Sequence, residues 1–303
     1  MKAVRAHSPG DHNVLVHEDA PMPGTGVGDV IVRVHAASFT PDELSWPVTW
    51  TDRAGRDRTP SIPGHEVSGV VAELGYGTTG LAVGDRVFGL TDRHRDGAAA
   101  EYLAAEARDL ALLPDGVDHT VGAALPMTGL TAWQALFQHG GLAEGQTVLI
   151  HGAAGGVGSL AVQLARDAGA RVLGTGRTGS AGLVTKLGAD RFIDVTTERF
   201  EDLAGQADLV FDTVGGDTLA RSAAALRPGG TLVSISAPPP PMDGRRGVYF
   251  IVEPNREQLT ELAARVASGR IHPHVGAVFP LRETVAAFQA KRDGVPGKVV
   301  LQV

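Results

Sequence analysis

Val148-Leu149-Ile150-His151-Gly152-Ala153-Ala154-Gly155-Gly156-Val157-Gly158 is the stretch around which the rest of the chain is ordered. Its start, Thr147–Ile150, reads as a short apolar strand of the kind buried in a parallel sheet. Beyond the glycines, Val157, Leu160, Ala161, Leu164, Ala165 and Ala168 recur at spacings of three and four, which predicts a helix over Val157–Ala168. Strand, glycine turn and helix in that order form the setting in which a turn cradles a pyrophosphate. Gly155 lets the backbone approach the phosphates, and Gly158 lets the helix pack closely on the strand. Ala154, Gly155, Gly156 and Val157 belong to a helix N-terminus, with its free N–H groups and partial positive charge. Ala153 replaces the first glycine of a G-x-G-x-x-G pattern, and Gly152 stands one place earlier.

Outward from this turn, the runs Arg171–Thr175, Phe192–Ile193, Asp208–Val214, Thr231–Ser236 and Val248–Val252 alternate with helical stretches. That alternation predicts a doubly wound parallel sheet with right-handed crossovers. Leu130–Phe137 reads as a helix leading into it. The first third differs. Val30, Val32, Val34 and Ala36 fall on one face and Arg33 and His35 on the other, while Val14–Val16, Val67–Ala72 and Arg86–Leu90 are further short runs between turn residues. Closely spaced strands without helices predict an antiparallel barrel or sandwich. The tail holds an amphipathic helix, Arg256–Ser268, and a closing strand, Lys298–Val303. The fold class is therefore α/β, with residues 121–254 as a doubly wound domain inserted into a β-rich domain made of 1–120 and 255–303. Pro238–Pro241 reads as a stiff connector.

The end of the second parallel strand reads on the cofactor. Gly174-Thr175-Gly176-Arg177-Thr178 has no carboxylate to accept from a ribose 2′-hydroxyl. Gly176 leaves that place empty, and Arg177 offers a bidentate partner to a 2′-phosphate. NADP(H) is expected over NAD(H).

Composition narrows the classes further. Glycine supplies 40 of 303 residues, about 13%, against a usual share near 7%. Having no fixed period, these glycines mark turns and close approaches. There is no cysteine, which removes disulfides, iron–sulfur clusters, thiol nucleophiles and cysteine-ligated zinc, and accords with a reducing cytoplasm. A net charge of −7 opposes a nucleic-acid surface. No apolar run is long enough to span a membrane, and Met1–His7 has no signal-peptide core.

Several segments resemble the zinc-independent medium-chain dehydrogenase/reductases of the NADPH:quinone oxidoreductase subgroup. They are the glycine turn, Pro63–Val71, Ala124–Trp133, Phe211–Gly216 and Gly297–Leu301. The resemblance implies a GroES-like β domain beside a Rossmann domain, with the active site in the cleft between them. It implies Thr131 near the nicotinamide and Val214 on the adenosine side. Ser236, Phe250 and Val252 would lie at the nicotinamide end, with Lys298 at the pyrophosphate. It also implies a homodimer built through Val248–Val252. Two departures stand out. Zinc-using relatives bind metal through a Gly-His-Glu histidine, a cysteine and a second cysteine or aspartate; here Gly64-His65-Glu66 is kept, but Thr40 stands at the cysteine position. His65 is thus expected to be a satisfied structural histidine, and His272-Pro273-His274 a loop, with no metal bound. Related quinone reductases carry Asn where Thr40 stands.

Hydride addition to a carbonyl-conjugated carbon leaves charge on oxygen, so a donor is needed there; Thr40 is the candidate. In Leu44–Pro63, Trp46 and Trp50 read as loop anchors or as an apolar substrate wall, and Arg53, Arg56 and Arg58 as solvated. Three functions follow: an NADPH-dependent quinone reductase acting on a small apolar electrophile, an enoyl or 2-alkenal reductase on the same scaffold, or a non-catalytic NADPH-binding protein.

Overall fold

The computed structural model describes residues 1–303, beginning with an antiparallel pair, β1 (Lys2–Ala6) and β2 (Leu15–Asp19). β3 (Asp29–Ser38) keeps the expected alternation in its first half, with Val30, Val32 and Val34 in one buried cluster and Arg33 exposed. A register shift between Val34 and Ala36 then corrects the expected face, carrying Ala36 against Ala123 and Ala124 and bringing Ala37 into the cluster of the valines. One turn of helix, α1 (Pro47–Trp50), interrupts the connection to β4 (Glu66–Leu74). β4 runs antiparallel to β3, with Ser38 opposite Glu66, and to β5 (Arg86–Leu90), with Glu66 opposite Leu90. β6 (Tyr102–Glu106) pairs with the first half of β3, and β7 (Leu110–Leu112) with β5. α2 (His119–Ala124) starts at Asp118, whose carboxylate accepts the Thr120 N–H at 2.8 Å, a side-chain cap of the usual kind.

α3 (Pro126–Trp133) runs into a π-helical turn, Gln134–His139, so the helix expected at Leu130–Phe137 changes its winding midway. Then comes the alternation: β8 (Thr147–His151), α4 (Gly156–Asp167), β9 (Arg171–Gly176), α5 (Ala181–Leu187), β10 (Arg191–Asp194), α6 (Phe200–Leu203), β11 (Ala207–Asp212), α7 (Gly216–Arg221), β12 (Leu226–Ser234) and β13 (Arg246–Tyr249). All six strands are parallel, in the order β10-β9-β8-β11-β12-β13. The order reverses between β8 and β11, the switch point at which ligands bind doubly wound sheets. Leu149, Leu173, Ile193, Val210 and Leu232 form the buried centre. Three strands end earlier than the sequence suggested. β11 stops at Asp212 and β12 at Ser234, because Asp212 turns its carboxylate onto the loop beyond. The strand expected at Val248–Val252 is shifted to Arg246–Tyr249, leaving Phe250 and Val252 buried but unpaired.

The chain closes with α8 (Arg256–Ala267), β14 (Val275–Pro280), α9 (Thr284–Arg292) and β15 (Lys298–Gln302). β15 pairs with β3 antiparallel and with β14 parallel, completing a seven-stranded sheet in the order β14-β15-β3-β4-β5-β7, with β6 on β3. Two compact units result: Met1–Met127 with Glu253–Gly269 and Pro273–Val303, and Thr128–Val252 with Arg270–His272. The expected divide at 120/121 is corrected to 127/128. The reason is α2, whose Ala123 and Ala124 bury against Ala36 and Val300 of the first unit. No helix is long and apolar enough to cross a membrane.

Candidate functional site

The glycine turn is shaped by its backbone. Gly152 leaves β8 at φ +71°, in the left-handed region that favours glycine. Ala153 N–H donates to the Thr175 carbonyl of β9 at 3.0 Å, and Gly155 N–H to Gly152 at 2.9 Å. A Cβ on Gly158 would lie 2.1 Å from the Gly152 carbonyl oxygen, so α4 approaches its own strand through that residue. A Cβ on Gly155 would meet the same oxygen only at 3.2 Å. No side chain caps α4, in contrast to α2 and to α8, where Asn255 accepts from Gln258 N–H at 2.9 Å. Ala154, Gly156 and Val157 thus carry accessible, uncapped backbone donors, as a pyrophosphate requires, while the Gly155 N–H closes the turn onto Gly152. The residues fit a dinucleotide.

At the end of β9, Arg177 is exposed and its guanidinium takes no ion pair; its carbonyl accepts from Ser180 N–H at 2.9 Å and from the Ser180 hydroxyl at 2.7 Å. Gly176 also has a packing role: a Cβ there would meet Ser180 Oγ at 2.5 Å and Phe192 at 3.2 Å.

Asp212, fully buried at the end of β11, gathers two expected cofactor residues. It accepts from the Val214 and Gly215 N–H groups at 3.2 and 3.1 Å and from the Ser234 and Ser236 hydroxyls at 2.9 and 2.7 Å. Gly215, at φ +80°, permits that fold-back. Val214 itself is exposed. His151, at the matching end of β8, is buried, bonds Thr175 Oγ1 through Nδ1 at 3.1 Å and leaves Nε2 without a partner. Burial drives its pKa down to about 4, so it is neutral. In the same unit Thr131 is buried in α3, and Phe250 packs on His139 with ring centroids 4.5 Å apart.

In the first unit, Thr40 follows β3 and is half-buried. Its N–H donates to Glu43 Oε2 at 3.1 Å, while Glu43 Oε1 accepts from Gly64 N–H at 2.7 Å. Glu43 is thereby the joint between the Thr40 loop and the start of β4. Desolvation raises its pKa to about 7, against the lowering effect of those two bonds. Glu66 Oε1 accepts from Met127 N–H at 3.0 Å, and its other oxygen pairs with the Lys298 ammonium, which also donates to the Phe39 carbonyl at 3.2 Å. Lys298, expected at a pyrophosphate, thus has an acidic partner inside its own unit.

His65 is buried but not satisfied: Nδ1 has no hydrogen-bond partner, and burial lowers its pKa to about 3. No three His, Asp or Glu side chains gather as a metal-holding group, and cysteine is absent. The residues present do not fit a zinc site of three protein ligands. His272-Pro273-His274 is a loop, with the His272 backbone clamped by Gln163. Trp50 is an anchor, its indole N–H bonding the Leu44 carbonyl at 3.0 Å. Arg56 is solvated, but Arg58 is not: it donates to the Val48 and Arg93 carbonyls and pairs with Asp96. Its partners are up to 38 residues away, beyond any local pattern. Glu43 and Asp212 were not singled out from the sequence. Glu43 three residues after Thr40, and an acid at the end of an apolar strand before Gly215-Gly216, are the signals that pointed to them.

Comparison with known proteins adds to this geometry. Residues 26–115 match the alcohol dehydrogenase GroES-like domain model, and residues 187–301 the zinc-binding dehydrogenase model. The 2-methylene-furan-3-one reductase of Solanum lycopersicum is 33% identical over 319 residues, covering 99% of this chain and 79% of its own. The chloroplastic NADPH-dependent alkenal/one oxidoreductase of Arabidopsis thaliana is 33% identical over 289 residues, covering 90% and 71%. The solved quinone oxidoreductase of Coxiella burnetii superimposes with a TM-score of 0.90 at 31% identity, over 100% of this chain and 99% of that one.

Proposed function

The chain belongs to the medium-chain dehydrogenase/reductases of the quinone oxidoreductase type, and on that premise we propose that it is an NADPH-dependent reductase of quinones or α,β-unsaturated carbonyl compounds. The observation that carries the reading is the uncapped N-terminus of α4, with Gly155 and Gly158 where backbone must come close. When bound, NADPH supplies a hydride to an electron-poor carbon of the acceptor. The protein's own residues do the rest. Ala154, Gly156 and Val157 offer N–H groups to the pyrophosphate, Gly155 lets the backbone come close, and Arg177 pairs with the 2′-phosphate. Asp212 fixes the Val214 loop and the Ser236 hydroxyl, the two segments assigned to the cofactor. Thr40, held by Glu43, donates to the acceptor oxygen as charge builds there. Thr131, Phe250, Val252 and Lys298 complete the set assigned by family likeness.

The donor set, with no cysteine and no gathering of three His, Asp or Glu side chains, supports a reaction without zinc. A homodimer is supported by β13, which pairs with β12 on one side and leaves its other edge free, flanked by exposed Tyr249 and Ile251. Parallel assays of NADPH oxidation with benzoquinone, 2-alkenals and enoyl thioesters test the reading. Turnover of the first two supports it; preference for thioesters assigns the enoyl reductase role instead. Tight NADPH binding without any turnover refutes it.

A further inference from the structure

Register places three chain segments at one end of the first unit's sheet. Ser38 lies opposite Glu66, and Glu66 opposite Leu90, so the residues after β3, before β4 and after β5 share that end. Thr91 N–H donates to the His65 carbonyl at 2.8 Å and ties two of them together. Thr40 is on the first segment. Trp46 follows on the same loop, its N–H bonded to the Glu43 carbonyl at 3.2 Å.

The cations here are almost all spoken for. Lys298 pairs with Glu66, Arg58 with Asp96, and Arg53 with Asp92. Arg93 is the exception. Its guanidinium lies 5.8 Å from the centre of the Trp46 ring and has neither a hydrogen bond nor an ion pair. Asp92 beside it is engaged by Arg53 at 3.0 Å and by His94 N–H at 3.0 Å. Arg93 is half-buried. A partly desolvated guanidinium, placed over an indole with all five donors unspent, matches the two parallel oxygens of a carboxylate.

We propose that Arg93 is a specificity-determining residue that binds a carboxylate on the acceptor. The chain then prefers an unsaturated carbonyl compound bearing an anionic group over its neutral counterpart. This rests on the reductase reading above and narrows its substrate class from small apolar electrophiles to anionic ones.

The test uses two enones that differ at one group: (E)-4-oxo-2-pentenoate, with a carboxylate, and 3-penten-2-one, with a methyl in its place. The ratio of their kcat/KM values is measured in the wild type and in Arg93→Gln, so intrinsic reactivity cancels. The ratio is expected to fall about ten- to a hundredfold, the span of one charge-assisted hydrogen-bonded pair. Arg93→Lys keeps the charge without the fork and is expected to lose less, which also serves if Arg93→Gln does not fold. A change in ratio under twofold overturns the proposal. Saturated 4-oxopentanoate gives a readout without turnover: it is titrated into the NADP⁺-loaded protein while tryptophan fluorescence is followed. Saturable binding that Arg93→Gln abolishes supports the anion site, and no binding overturns it. If the wild type reduces neither enone, the reductase reading falls, and the titration alone decides on Arg93.

Discussion

The phosphate turn and the Thr40 end of the first unit are built on opposite principles. The turn is eleven consecutive residues, Val148–Gly158, whose useful groups are backbone N–H donors and whose side chains matter by their absence. The other end is assembled from Thr40, Glu43, His65, Glu66, Arg93 and Lys298, and its useful groups are buried or half-buried charges and hydroxyls. A local site made of backbone tolerates change in its neighbours but not an added Cβ. A dispersed site made of ionisable groups depends on each partner staying in place, since a charge left alone in low dielectric is costly.

The largest expected effect therefore falls on the dispersed end. Lys298→Met leaves the Glu66 carboxylate, 1% exposed, without its cation, and should lower unfolding free energy by about 3–5 kcal/mol. Lys298→Met combined with Glu66→Gln should recover much of that, because the amide still accepts from Met127 N–H. Urea denaturation of both variants checks it. A loss below about 1 kcal/mol in Lys298→Met would mean that this end is no more charge-dependent than an ordinary surface.

Protons sharpen the same contrast. His65 and His151 are buried with pKa values near 3 and 4, well below the ordinary imidazole value, whereas Glu43 is raised to about 7. Between pH 4.5 and 6.5 the unfolded chain binds protons on both imidazoles that the native state refuses. Over the same interval the native state keeps the Glu43 proton that the unfolded chain releases. The less buried His119, lowered to about 4, and Asp109, raised to about 6, act with opposite signs in this window. The net is about one proton from pH 4.5 to about pH 6, so stability should rise by about 1.4 kcal/mol per pH unit there and level off toward neutrality. Glu43→Gln removes the opposing group and should steepen that rise, as melting curves across the interval would show. A flat profile would mean that the buried imidazoles are proton-accessible.

The same difference explains what a reader of the sequence alone can see. The strand–turn–helix around Gly155, the parallel alternation and the period-two pattern of β3 as far as Val34 are signals confined to a dozen residues, whereas the register shift before Ala36 has no local signature. β14 escaped because its half-buried, glycine-containing run, Val275–Pro280, lacks a continuous apolar face. α9 did carry a signal: Thr284, Ala287 and Phe288 are buried at helical spacing. The Glu66–Lys298 pair spans 232 residues, and no local pattern encodes it. The placement of Arg93 over Trp46 likewise depends on how two loops meet.

Within the turn, the two glycines should separate packing from ligand binding. Gly158→Ala drives a Cβ to 2.1 Å from a backbone oxygen that cannot swing aside, and should cost about 1–3 kcal/mol. Gly155→Ala, at 3.2 Å from the same oxygen, should fold with near-native stability yet bind NADPH more weakly. Thermal melts with and without NADPH distinguish them. Equal destabilisation by both would make the turn a packing feature throughout.

Arg177 marks the smallest effect and the finest test, because the proposed 2′-phosphate contact would add one side chain to a site otherwise made of backbone. It is exposed, so in the free protein its loss should leave stability unchanged. Its pairing with a 2′-phosphate, half in solvent, should be worth about tenfold in affinity. Arg177→Ala is thus expected to raise the Kd for NADPH about tenfold and to leave NADH untouched. The carboxylate at the end of β10, Asp194, is held away from a donor role by Thr178 and by the Thr196 N–H and hydroxyl, and these bonds keep it ionised. Reversing the preference needs an acid at Gly176, where a Cβ meets Ser180 Oγ at 2.5 Å. Gly176→Asp should therefore favour NADH cleanly only together with Ser180→Ala, which removes that oxygen. Equal losses of NADPH and NADH affinity in Arg177→Ala would return the whole cofactor site to the backbone alone.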